Sequence, residues 1–140
     1  MLAKLPSAFI CGVRVRQFEE EKVVVSVPYK WLSQNPFRSI YFACQAMAAE
    51  MSTGLLAMGH TYQLAKPVSM LVTGIDAVFV KKANERIYFT CTDGLAIQQA
   101  IQQAVTTGEG QTFAATSVGT NKAGEEVSRF TIEWSFKVKR

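Results

Sequence analysis

Glu50 is the residue in this chain whose setting most invites chemistry. It stands in the run FACQAMAAEMSTGLLAMG, with Met47, Ala48, Ala49 and Met51 as its neighbours. A carboxylate among alanines and methionines is costly unless it is partnered or neutral. Burial raises the pKa of such a group, and a carboxyl tuned in that way can act as a base near neutral pH. The competing reading is a structural carboxylate, paired with a buried arginine or with a second copy of the chain. Four other polar residues fall close enough in sequence to matter. Asn35 is placed to cap the helix that carries Glu50. Arg38 reads as a solvated charge in the first turn or as a phosphate contact. Tyr41 reads as a core aromatic with a satisfied hydroxyl. Ser69, beyond the helix, reads as a strand hydroxyl.

Other kinds of site are poorly supplied. His60 is the single histidine, so no histidine-based metal site is expected. Cys11, Cys44 and Cys91 are widely spaced, odd in number and contain no CxxC pair. They read as reduced, buried thiols of a cytoplasmic protein. The segment MLAKLPSAFICG is too short and broken in its apolar run to read as a signal peptide. The net charge is +4, with no dense Lys/Arg run, so nucleic-acid binding is not expected. The window from Ile40 to Met58 is almost long enough to span a bilayer. Its Gln45, Glu50, Ser52 and Thr53 argue against that, and no membrane association is expected.

The elements that must position these residues follow from periodicity. Asn35 to Gly59 is expected as one helix, with Pro36 in its first turn. Its apolar and small side chains surround the axis, which predicts burial all round. Phe9 to Phe18 and Lys22 to Tyr29 read as two strands joined by the charged turn Glu19-Glu20-Glu21. After a loop from His60 to Pro67, Val68 to Lys82 reads as a long strand in which Gly74 marks a bend or bulge. Arg86 to Thr92 is the next strand. Gly94 to Thr106 is an amphipathic helix capped by Asp93 and stopped by Gly108 and Gly110. Gln111 to Thr120 and Glu125 to Lys139 close the chain as strands around the turn Asn121 to Gly124. The chain is expected to form one domain over 1–140, of the α+β class. Six strands and one buried helix imply an antiparallel sheet curled around that helix, the arrangement of a hotdog fold.

With that order of elements, the chain resembles the hotdog-fold acyl-CoA thioesterases, especially the phenylacetate-pathway type. That group carries Asn-x-x-Gly-x-x-His-Gly-Gly, an Asp or Glu nine residues after the His, and a Gly four later. Here Asn35 stands in the Asn position, Tyr41 in the His position, Glu50 in the acid position and Gly54 in the final Gly. Arg38 replaces the first Gly, and Phe42 and Ala43 replace the Gly pair. Pro67-Val68-Ser69 looks like the start of the strand where some relatives place an active-site Ser. Phe42 to Gln45, the second helix and the Trp134 to Lys137 ending are closer to an uncharacterised branch of thioesterase-like proteins.

The resemblance implies hydrolysis of an acyl-CoA or related thioester, with Glu50, Asn35 and Tyr41 as catalytic residues. It implies substrate contacts from Phe42, Ala43, Gly54, Ser69 and Arg38. Backbone N–H groups around Tyr41 to Ala43 would polarise the thioester carbonyl. It implies no cofactor, coenzyme A entering only as part of the substrate, and a homodimer or dimer of dimers joined through sheet edges. The alternative is a non-catalytic hotdog module that binds acyl or aromatic ligands or only dimerises. A hydratase of this fold would pair an acid with a His, and the only His here follows the helix.

Overall fold

The computed structural model describes residues 4–62 and 64–139. Met1 to Ala3 of the N-terminal segment, Gln63 of the loop after the long helix, and Arg140 lie outside them. Six strands form one antiparallel sheet: β1 (Arg14–Phe18), β2 (Val23–Val27), β3 (Val68–Phe79), β4 (Ile87–Cys91), β5 (Gln111–Thr120) and β6 (Glu126–Val138). Their spatial order is β1-β2-β4-β5-β6-β3. Among the described residues three α-helices accompany the sheet: α1 (Pro6–Ile10), α2 (Phe42–Gly59) and α3 (Gly94–Thr107). The central helix α2 packs on β2, β4, β5 and β6, and α3 lies against β5, β6 and α2. This is the hotdog fold: an antiparallel sheet curved around one helix.

Alternation in the strands explains which way they face. In β6, Phe130, Ile132, Trp134 and Phe136 are buried under the helices, while Arg129, Glu133 and Lys137 are exposed. In β2 and β4 the core face is Val23, Val25, Val27, Ile87, Phe89 and Cys91, all fully buried. Phe130 meets Phe79 and Phe89 edge to face, both at 5.7 Å between centroids. The bend foreseen at Gly74 is present as a shift of register between Val72 and Gly74 against β6.

The first turn of the chain differs from expectation. Residues 9 and 10 belong to α1, not to a strand, and β1 begins only at Arg14. Pro6 stands at the helix start, where its fixed φ suits the first turn. Gly12, at φ 87°, then reverses the chain so tightly that a Cβ there would lie 2.7 Å from Pro28 Cγ. The period-two pattern of Val13 to Arg16 is real, but it starts after that reversal.

Polar side chains on α2 fix its rotation over the sheet. Gln45 accepts a hydrogen bond from Ser128 at 2.8 Å, Ser52 and Ser117 share one at 2.7 Å, and Trp134 Nε1 donates to Thr53 at 2.8 Å. All six residues are buried. Turning or sliding the helix would strand several of these groups, each at a cost of about 1–3 kcal/mol.

Helix α3 carries Gly94, Ile97, Ile101 and Ala104 on its buried face, with Gln99, Gln102 and Gln103 exposed. Gly108, at φ 74°, ends it in the left-handed conformation. Asp93 precedes it as expected but makes no side-chain cap; its carboxylate accepts from the Thr116 N–H at 2.8 Å and so ties the helix start to β5. Changing Gln102 to Lys is expected to shift stability by only a few tenths of a kcal/mol. Thermal melts of the two proteins check this, and a much larger loss would mean that α3 is covered by another chain.

Candidate functional site

The approach to α2 is a loop, not a first helical turn. The helix was expected to begin at Asn35 and begins at Phe42, with Tyr41 as its N-cap residue. Asn35 therefore does not cap it. Its Oδ1 accepts from the N–H groups of Phe37 and Ser39, at 2.9 and 3.2 Å, and closes a local turn. Arg38 sits in that turn at φ 62°, a left-handed conformation uncommon outside glycine. The backbone bonds between Asn35 and Ser39, and the bridge between Gln34 and Ile40, complete the loop. Asn-Pro followed by a left-handed residue cannot propagate a helix, and a local Asx turn competes successfully with a cap.

At the helix start, Tyr41 carries no side-chain cap. Cys44 N–H bonds back to the Tyr41 carbonyl at 2.9 Å. Among the described residues, the N–H groups of Phe42 and Ala43 have no acceptor. These are the orphan donors of a helix N-terminus, and they carry its positive dipole end. Tyr41 and Phe42 are largely exposed and stack edge to face at 5.0 Å. An open groove of about 690 Å³ runs beside them, lined by Asn35, Phe37, Tyr41, Phe42, Gln45, Phe79, Val80 and Lys82, among others.

Glu50 lies elsewhere. Ala43, Ala46, Met47 and Glu50 form a half-buried stripe along α2, and Phe42 and Met58 near its two ends are exposed. The helix is therefore not buried all round within one chain. Helix α1 covers part of that stripe and leaves a cavity of about 170 Å³ lined by Lys4, Leu5, Pro6, Ser7, Ala8, Met47, Glu50 and Met51. Burial pushes the Glu50 carboxyl above the ordinary range. Among the described residues it has no ion pair; the two ion pairs present are Lys81–Glu125 and Arg129–Glu126. The structural reading of Glu50 as the partner of a buried arginine within this chain thus finds no support.

The structure brings together Asn35, Tyr41 and Phe42 around the groove. Glu50 and Gly54 share a second location about two to three turns further along the helix. Arg38 lines neither space, and Ser69 is exposed on β3. Gly54 is buried, and a Cβ on it would meet Trp134 Cζ2 at 3.0 Å and Glu50 Oε1 at 3.6 Å. Sequence reasoning missed Gln45, Thr53 and Trp134 as neighbours of the site. For Gln45 and Thr53 the one signal was a polar side chain on an apolar helix; for Trp134 it was its place on the apolar face of β6. The thiols of Cys44 and Cys91 are both pushed up to about 12, chiefly by burial, so both stay protonated at neutral pH and neither is a nucleophile as it stands. Among the described residues no cluster of His, Cys, Asp and Glu could hold a metal ion, and no helix is long and apolar enough to cross a membrane.

A family model described as a domain of unknown function, DUF4442, matches residues 1–136. The chain is a member of the DUF4442 family. No curated protein sequence matches it. Solved structures carry the same fold. A Pseudomonas aeruginosa protein of unknown function, described as a probable thioesterase, superposes with a TM-score of 0.82 at 21% identity, covering 99% of this chain and 95% of that one. A Silicibacter pomeroyi protein described as of the thioesterase family gives 0.71 at 15%, covering 99% and 93%. A Haemophilus influenzae thioesterase gives 0.71 at 12%, covering 98% and 86%. At these identities the likeness establishes the fold of this DUF4442 member, and the chemistry has to be argued from its own residues.

Proposed function

We propose that this DUF4442 protein hydrolyses an acyl thioester of coenzyme A or a related carrier, and does so as a homodimer. The observation that carries the reading is Glu50: a desolvated carboxyl with no cationic partner among the described residues, on the half-open stripe of the central helix. The naming of several structural neighbours as thioesterases adds to it. In the reaction, Glu50 takes a proton from water, and the oxygen attacks the thioester carbonyl carbon. The resulting oxyanion is held by backbone N–H groups of Phe42 and Ala43. The C–S bond then breaks, and the thiolate leaves with a proton returned from Glu50.

One chain cannot supply both halves. Glu50 is eight residues from Phe42, which is about 12 Å along an α-helix at 1.5 Å per residue. A base and an oxyanion site must each lie about 3 Å from the reacting group. The helix start facing Glu50 must then come from a second subunit. Strand β3 is suited to bring it. It is a 12-residue sheet edge with no proline or lysine, and Leu71 and Ile75 are exposed along it. The opposite edge, β1, is 5 residues long, carries Arg14 and Arg16, and has a bulge between Val15 and Gln17. Edge pairing of β3 with its two-fold copy is the natural closure.

A non-catalytic module that binds acyl or aromatic ligands is the second reading. What favours it is the exposure of Tyr41 and Phe42 beside the wide groove, away from their own chain's Glu50. A panel of acyl-CoAs tested with a thiol-detecting dye, beside thermal-shift measurements on the same ligands, separates the two. Release of free thiol is expected; stabilisation without turnover would favour the binding module. Light scattering is expected to give twice the chain mass at micromolar concentration, and a monomer would sink the shared site.

A further inference from the structure

We infer that Trp134 is a positioning residue for Glu50, holding the carboxylate in place on α2 and closing its flank to water. The role takes Glu50 as the base proposed above. Trp134 comes from β6, the strand between β5 and the edge strand β3, and is 6% exposed. Its benzene edge reaches the helix at Gly54, where the missing Cβ leaves a notch. An added Cβ would stand 3.0 Å from Cζ2, 3.3 Å from Cη2 and 3.6 Å from Glu50 Oε1. The indole edge and the carboxylate therefore sit against the same notch, on the same side of the helix. A Cβ at position 54 would crowd the indole and touch the carboxylate at ordinary contact distance.

The indole is pinned, not merely packed. Its Nε1–H donates to Thr53 Oγ1 at 2.8 Å, and Thr53 Oγ1–H donates to the Glu50 carbonyl at 2.8 Å. The chain of bonds runs from the sheet, through Thr53, to the backbone of Glu50 itself. The remaining walls are Met47 and Met51 on the helix and the small cavity under α1. Among the described residues, the one charged group lining that cavity besides Glu50 is Lys4, and it makes no ion pair with Glu50. The indole stands on one flank of Glu50, by the Gly54 notch where Oε1 lies, and the residue lines the cavity on the other flank. That is the arrangement a general base requires: a dry surround and one direction of access.

Trp134→Phe tests this, because phenylalanine keeps an aromatic ring but does not reach the notch and cannot bond Thr53. Thr53→Val removes the pin while keeping the shape. The Glu50 carboxyl is followed by 13C NMR titration in the full chain, and acyl-CoA hydrolysis is followed across pH. Both variants are expected to move the Glu50 titration to lower pH, as water reaches the carboxylate. The acid limb of the rate profile should move the same way, with kcat reduced about tenfold to a hundredfold, as for a misplaced catalytic group, and KM little changed. Repeating the titration in Lys4→Met should leave the shift intact; its disappearance there would assign the effect to the lysine and overturn the role of Trp134. An unchanged Glu50 titration in either variant, with the fold retained, also overturns it. If Trp134→Phe does not fold, Thr53→Val alone decides. The NMR arm holds even if the parent protein cleaves no thioester; in that event the hydrolase reading fails, and a shifted titration still supports the contact between Trp134 and Glu50.

Discussion

Replacing Glu50 by glutamine is expected to cut thioester hydrolysis by about two to four orders of magnitude, the usual worth of a general base, while leaving the fold intact. Glutamine keeps the shape and hydrogen-bonding capacity of the side chain and removes only its basicity. The same substitution is expected to raise the melting temperature at neutral pH. The sign follows from linkage. Burial lifts the Glu50 pKa in the folded state above its unfolded value, so the folded state binds the proton more tightly. The associated stability is fully present below the unfolded value, about 4.3 for glutamate. It is lost as pH rises through the raised folded value. Above that window the native protein carries an unpartnered, desolvated charge, and the glutamine variant does not. The two melting curves should therefore coincide at acid pH and separate at neutral pH, with the variant the more stable. A buried ion pair would give the opposite result: stranding its cation costs about 3–5 kcal/mol. A glutamine variant of unchanged turnover would end the proposed mechanism, whatever its melting temperature.

Replacing Phe42 by proline is expected to cost about two to three orders of magnitude in kcat, the effect of removing one oxyanion donor. The substitution deletes one N–H and the exposed ring that stacks on Tyr41, so Phe42→Ala, which keeps the N–H, is the control. Position 42 is the first residue of α2, where proline is tolerated. Tyr41 before it is already extended, at ψ 135°, as a residue preceding proline must be. The sharper test mixes this variant with Glu50→Gln after unfolding and refolding together. Each variant alone has two dead sites per dimer. In a mixed dimer, one site joins the intact Glu50 of one chain to the intact helix start of the other. Random pairing makes half the dimers mixed, with one working site each, so about a quarter of the parent activity should return. No recovery from a mixture shown to contain mixed dimers would mean that both groups act from a single chain, which 12 Å of helix forbids, or that neither acts at all.

Much of the architecture could be read from local patterns because the core of this protein is built from them. The alternation Phe130-Ile132-Trp134-Phe136 can bury one face only as a strand, and the β-branched run Val23 to Val27 has no better use. The Gly108 stop, the Gly74 bulge and the amphipathic glutamine helix are likewise local, and the structure has all three. An apolar and alanine-rich helix with so little polar surface had to be covered, and the strands that make up most of the rest of the chain are what cover most of it.

What tertiary structure decided was where chains of equal local preference stop and what they meet. Asn35-Pro36 looks like a helix cap by composition, yet Arg38 turns left-handed and Asn35 spends its acceptor on Phe37 and Ser39, so α2 begins seven residues later. Phe9 and Ile10 look like strand residues, yet the reversal at Gly12 against Pro28 holds them in a helix over Met47 and Glu50. The sequence alone determined that Glu50 would be a carboxyl in an apolar helix. That its flank is an indole pinned to Thr53, from a strand 84 positions away in number, is decided by packing between helix and sheet. Periodicity reports which face of an element is buried. It does not report which residue of another element covers that face, because that depends on register between strands and on the rotation of a helix that the buried pairs with Ser117 and Ser128 fix.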